Sequence, residues 1–144
     1  MSANRDAPGI GLIGCGDISA MHLGAYKRLD LPVRALCNRT VSKAHERAAE
    51  FFPKAHVCSD HTELLALPEV AVVDVTTHPT QRVELVADAL RAGKHVLSQK
   101  PFVLDLQQGE DLIALAEDHG VLLAVNQNGR WAPHLAGIRK SVRA

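Results

Sequence analysis

The chain has 144 residues, 47% of them hydrophobic, with 16 basic and 16 acidic side chains and a formal net charge of zero. That is one domain's length, enough to bury a core, and the balanced charge points away from nucleic acid and anionic membranes as partners. No apolar run reaches the roughly 18 residues of a membrane span, and the three cysteines, Cys15, Cys37 and Cys58, match neither a disulfide framework nor a zinc pattern.

A cytoplasmic protein with reduced thiols is expected, because the opening residues MSANRDAPG also lack the apolar stretch of a signal peptide. Only 3% of the residues are aromatic, so the core must be built from Val, Leu, Ile and Ala, as in a helix-covered parallel sheet. The eight histidines show no metal-ligand spacing, and no metal site is expected.

Residues 1–8 read as a disordered leader. Ile10–Ile13 reads as a short buried strand that runs into Gly14-Cys15-Gly16. Residues 17–29 carry apolar groups at helical spacing, and Leu31-Pro32 is expected to end that helix. Val33–Cys37 reads as a second strand. Ser42 is placed to cap a helix running to about Phe52. Ala55–Cys58 suits a third strand, and Thr62–Leu67 a short helix ended by Pro68.

Val70–Val75 is the strongest strand pattern, β-branched and nearly unbroken. A helix from about Gln81 to Ala92 follows, with Gly93 just past its end, then a strand at His95–Ser98. Asp105 and Gln108 form a capping-box pattern for another helix, which Gly120 ends. Val121–Val125 reads as a sixth strand. A last helical stretch begins at Trp131-Ala132-Pro133. Such alternation favours an α/β fold with a parallel sheet and right-handed crossovers. The expectation is a Rossmann-type doubly wound sheet of about six strands in three α/β/α layers.

Gly14-Cys15-Gly16-Asp17-Ile18-Ser19 fits G-x-G-x-x-small between a strand and a helix, the context that gives this motif meaning. Gly14 allows a sharp turn, Gly16 lets a pyrophosphate approach the backbone, and Ser19 lets helix and strand pack closely. The helix opening at Asp17 and Ile18 aims its free N–H groups at an anion. A dinucleotide is therefore expected across Gly14, Cys15, Gly16, Asp17 and Ile18.

The second strand ends in Asn38-Arg39-Thr40, where an NAD-specific site carries Asp or Glu. The carboxylate that would repel a 2′-phosphate is missing and a guanidinium is adjacent. NADP is favoured over NAD, although Asn38 could equally bond the ribose while Arg39 stacks on adenine. Ligands in such sheets bind beyond the carboxyl ends of the strands. The clusters Thr76-Thr77-His78-Pro79 with Gln81, Gln99-Lys100-Pro101, and Asn126-Gln127-Asn128 all fall at such ends.

The opening Gly-Leu-Ile-Gly-Cys-Gly-Asp-Ile-Ser at 11–19, followed by His22, resembles the Gfo/Idh/MocA oxidoreductases. Residues 89–101, Ala-Leu-Arg-Ala-Gly-Lys-His-Val-Leu-Ser-Gln-Lys-Pro, are similar to that family's AL-x-AGKHVL-x-EKP stretch. Residues 128–133 resemble its N-x-RW-x-P segment, so the likeness runs from about residue 9 to 140.

The resemblance implies a nicotinamide-dependent dehydrogenase or reductase acting on a sugar, polyol or related hydroxy compound, and a homo-oligomer. It makes Lys100 the catalytic lysine, which would polarise the reacting oxygen or share its proton. It suggests that Trp131 stacks near the nicotinamide, although Trp131 could equally cover apolar surface, and makes the Lys100–Pro101 bond one that is often cis. Gln99 and Asn128 are expected beside the cofactor from their strand-end positions.

The family's glutamate before the lysine is Gln99 here, and its Pro-Asn-then-His loop is Pro79-Thr80-Gln81-Arg82. Family members carry a second α/β domain that contacts substrate. The expected division is therefore a nucleotide-binding domain at 9–130 and the start of a connection at 131–144, in a truncated chain that is inactive alone. Apolar surface left uncovered in such a chain predicts self-association. Two other readings share the glycine turn: a non-catalytic dinucleotide sensor, and a methyltransferase-like domain. The lysine–proline pair and Arg39 speak against the latter.

Overall fold

The computed structural model describes residues 7–143, apart from the side chains of Trp131 and Arg143. The expected leader falls largely on residues 1–6, outside the described residues. Six strands, β1 (Ile10–Ile13), β2 (Val33–Cys37), β3 (His56–Cys58), β4 (Val72–Val75), β5 (His95–Gln99) and β6 (Leu123–Asn126), form one sheet in the order β3-β2-β1-β4-β5-β6. Every neighbouring pair is parallel. Between them run α1 (Asp17–Arg28), α2 (Val41–Phe51), α3 (His61–Ala66), α4 (Pro79–Arg91) and α5 (Leu106–Asp118); a 3-10 turn (Asn128–Trp131) and α6 (Pro133–Arg143) follow. The strand order reverses between β1 and β4, and a crevice opens at such a point.

Alternation along each strand sends consecutive side chains to opposite faces. Ile13, Ala35, Cys37, Val73 and Val75 face a core closed by α3, α4 and α5, where Leu64, Val86, Leu90 and Leu112 are buried. Leu12 and Leu36 face the other core, closed by α1 and α2 through Leu23, Ala44 and Ala48. Ala44 and Ala48 lie one turn apart and give α2 a flat face against the sheet.

Several boundaries differ from the sequence reading. Helix α1 ends through Asp30, held at φ 55°, with Leu31 N–H donating to Tyr26 O and Asp30 N–H to Lys27 O, so the chain turns before Pro32 acts. Helix α2 starts at Val41 with Thr40 at its cap position, so Ser42 lies inside the first turn. Val70 N–H bonds Leu67 O in a turn, which delays β4 to Val72. Likewise Val121 N–H wraps back to Ala116 O, and β6 begins only at Leu123. Asp105 caps α5 by accepting from Gln107 N–H at 2.8 Å, and Gln108 lines the crevice.

Candidate functional site

The glycine turn is held from both sides. Gly14 N–H donates to Cys37 O at 2.8 Å, and Cys15 N–H donates to Asn38 Oδ1 at 2.9 Å, tying the turn to the end of β2. Thr76 N–H donates to Ile13 O at 2.9 Å and its hydroxyl donates to Gly14 O, tying the turn to the end of β4. Gly14 has φ +103°, and a Cβ there would lie 2.8 Å from Thr77 Cγ2, so only glycine fits. A Cβ on Gly16 would meet no protein atom within 4 Å. The protein's own packing therefore does not require glycine at 16, whereas an approaching pyrophosphate would.

Ser19 is fully buried, and its hydroxyl donates to Gly16 O. No side chain caps the first turn of α1, α2 or α4, whereas Asp60 and Asp105 cap α3 and α5. The three uncapped ends, at Gly16, Thr40 and His78, belong to the segments expected to meet the dinucleotide. Free N–H groups and the helix dipole there favour an anion.

A crevice of about 910 Å³ runs along these ends, at the upper end of the range for small-molecule clefts. Its lining includes Gly14, Gly16, Asn38, Arg39, Thr40, Thr77, Pro79 and Gln81 among the expected residues. Lys43, on the first turn of α2, joins them beside Arg39. That residue was missed; its only sequence signal is its place three positions after Thr40.

The other expected residues lie elsewhere. Cys15 is buried, its Sγ against Cys37 O, and burial pushes its thiol up to about 11. Thr76 is buried under the turn. Asp17 and His78 are exposed, with His78 Nδ1 at 3.1 Å from Thr80 Oγ1. Ile18 is half-buried on α1, and Asn128 Oδ1 accepts from Gly129 N–H. The side chain of Trp131 lies outside the described set.

A second cluster gathers where β4, β5 and β6 end. Lys100 is exposed just past β5, with a cis bond to Pro101. Its N–H donates to Gln99 Oε1 at 2.7 Å. Arg82, 2% exposed, donates to the carbonyls of Thr77, Gln99 and Pro101. One guanidinium thus clamps the β4 loop and both sides of Lys100. Burial holds its pKa below the ordinary arginine value. Beneath lies Asp74, fully buried, whose Oδ2 stands 2.7 Å from His22 Nδ1 and accepts from Tyr26 O–H at 2.7 Å.

A family model described as "Oxidoreductase family, NAD-binding Rossmann fold" (GFO_IDH_MocA) matches residues 9–127. D-apiose dehydrogenase of Paraburkholderia graminis is 34% identical over 134 residues, which are 92% of this chain and 35% of that protein. An NADP-dependent scyllo-inositol 2-dehydrogenase of Bacillus subtilis is 29% identical over 133 residues, 92% of this chain and 37% of that protein. A 3-ketoreductase from Actinomadura kijaniata, solved in complex with NADP, superposes with a TM-score of 0.88 at 29% identity, over 95% of this chain and 44% of its own. A protein of gentamicin A biosynthesis, solved with NAD, superposes with a TM-score of 0.83 at 28% identity, over 88% and 36%. The chain spans little more than a third of the length of these curated relatives.

Proposed function

The chain belongs to the Gfo/Idh/MocA oxidoreductase family, as its NAD-binding Rossmann domain, and from that premise we propose that it holds NADP for a protein that oxidises or reduces a sugar-like hydroxy compound. The observation that carries this reading is Gly16, whose missing side chain faces open crevice at an uncapped helix N-terminus. The residues fit a dinucleotide: the turn and the first N–H groups of α1 receive the pyrophosphate. Arg39 and Lys43, with no carboxylate at position 38, receive a 2′-phosphate on the adenosine side. Thr77, Pro79 and Gln81 line the path from the turn along the start of α4.

The bound nicotinamide supplies the hydride acceptor or donor. Lys100 Nζ bonds the reacting oxygen of the substrate and shares its proton as that oxygen changes between hydroxyl and carbonyl. Arg82 holds the carbonyls on both sides of the lysine, so its backbone does not have to be ordered when substrate arrives. Sugar-related compounds are favoured as substrates by the relatives named above, two of which are a sugar and a polyol dehydrogenase.

Titration with NADPH and NADH, followed by nicotinamide fluorescence and thermal shift, tests the reading. The expected result is binding of NADPH at least tenfold tighter, with the preference abolished in Arg39→Ala. At a hundredfold excess over Kd the cofactor stabilises the fold by about 2.7 kcal/mol. Binding of neither nucleotide overturns the proposal, and tighter NADH binding overturns the role of Arg39 and Lys43.

A further inference from the structure

His22 lies on the buried face of α1, 8% exposed, and all its ring hydrogen-bonding positions are engaged. Nδ1 stands 2.7 Å from Asp74 Oδ2. Nε2 stands 3.2 Å from Gln99 Nε2 and 3.1 Å from Asn126 Nδ2. Asp74 is fully buried on β4, and its Oδ2 also accepts from Tyr26 O–H. Four elements, α1, β4, β5 and β6, therefore meet on one imidazole.

The Tyr26 and Gln99 contacts set the donor and acceptor roles, with the Asn126 NH2 as a second donor towards Nε2. The Tyr26 hydroxyl stays a donor, because burial and then the Asp74 charge hold its pKa well above the ordinary tyrosine value. Gln99 Oε1 accepts the Lys100 N–H at 2.7 Å, which fixes the carboxamide with its NH2 towards His22. An NH2 group can only donate, so Nε2 must offer its lone pair. The ring proton then sits on Nδ1 and is donated to the Asp74 carboxylate.

We propose that His22 is a positioning residue: a neutral imidazole, protonated at Nδ1 and anchored on Asp74, that orients the Gln99 carboxamide and through it the Lys100 main chain. This inference rests on the reading that Lys100 serves the reaction. The imidazole is not part of the crevice lining. Its effect runs through two hydrogen bonds in series, each fixing the direction of the next. Neutral carboxamide at 99 is the element that makes this work. A carboxylate there could accept from Lys100 N–H, but would face the Nε2 lone pair with a second acceptor. The imidazole would then have to carry protons on both nitrogens.

Long-range proton–nitrogen NMR of the histidine rings in the full chain tests this directly at pH 7.5. The expected pattern for His22 is the neutral Nδ1–H tautomer. In Gln99→Glu the same ring should show both nitrogens protonated. In His22→Ala, hydrogen exchange at the Lys100 amide should accelerate at least tenfold while the amides of Ile10–Ile13 keep their rates.

An Nε2–H tautomer in the unaltered chain overturns the proposal, as does a Lys100 amide indifferent to His22→Ala. If His22→Ala does not fold, the tautomer and the Gln99→Glu pattern decide alone. NADPH titration separates the two layers: loss of the tautomer with cofactor binding intact sinks only this inference, whereas failure to bind cofactor sinks the functional reading.

Discussion

The sheet is packed unequally across its width. All four residues of β1 are buried, and helices close both faces around it. None of the four residues of β6 is buried, and α6 beyond it exposes Leu135, Ile138 and Val142. Leu122 and Val125 are exposed at the same edge. The half that carries the glycine turn is thus a rigid cradle, because burial on two sides fixes backbone positions there. The β6 half supplies polar ends such as Asn126 but little packing of its own. Local stability should follow this gradient, since regions with few buried apolar contacts open first.

The largest expected effect breaks the cradle. Gly14→Ala places a Cβ against Thr77 in a backbone conformation that side chains rarely adopt. Strain of this kind costs about 3 kcal/mol and should lower Tm by about 10 °C in calorimetry. A shift below about 2 °C would show that the turn is not held as described.

Arg82→Met comes next. It removes three bonds to main-chain carbonyls, the one to Gln99 buried, and should cost about 2–3 kcal/mol in urea unfolding. If its cost is near zero, the clamp around Lys100 contributes nothing to the fold.

Gly16→Ala sharpens the comparison, because it separates cradle from ligand. Its Cβ meets no protein atom, so stability should stay within about 0.5 kcal/mol. NADPH binding should weaken at least tenfold in the same sample. Equal loss of stability in Gly14→Ala and Gly16→Ala would remove the argument that position 16 is kept small for a ligand.

The thiols report on the same half. Burial pushes Cys15 up to about 11 and Cys37 up to about 12, the latter also through Cys58 and Asp60 nearby. The folded thiols stay protonated while those of the unfolded chain begin to ionise near pH 8.5. The unfolded state then binds fewer protons, so stability should fall as pH rises from about 9 towards the folded values. Urea midpoints at pH 7 and pH 10 check the sign; a higher midpoint at pH 10 contradicts it.

The smallest effect is expected at the far edge. Leu122→Ser and Ile138→Ser replace exposed apolar side chains and should change stability by no more than about 0.5 kcal/mol. A loss above 1 kcal/mol in either would mean that this face is covered in solution, which light scattering would then detect as self-association.

What the sequence by itself determined is what local chemistry determines. Strand and helix alternation, the glycine turn and the polar strand ends each depend on residues close together in the chain, so their order and placement were legible. Element ends were less so, since Asp30, Val70 and Val121 obey hydrogen bonds that close turns rather than residue preference. The tertiary structure alone decided what lies beneath Lys100. His22 and Asp74 are 52 positions apart, and His22 and Gln99 77 apart. No periodicity encodes such pairs. Asp74 lies within the apolar run of β4 and Arg82 on the first turns of α4, yet both are buried. Only the strand order, which sets β4 against β1 and β5 against β4, brings such distant residues together at the end of β5, where burial makes an unpaired polar group costly and Asp74 and His22 pair with each other.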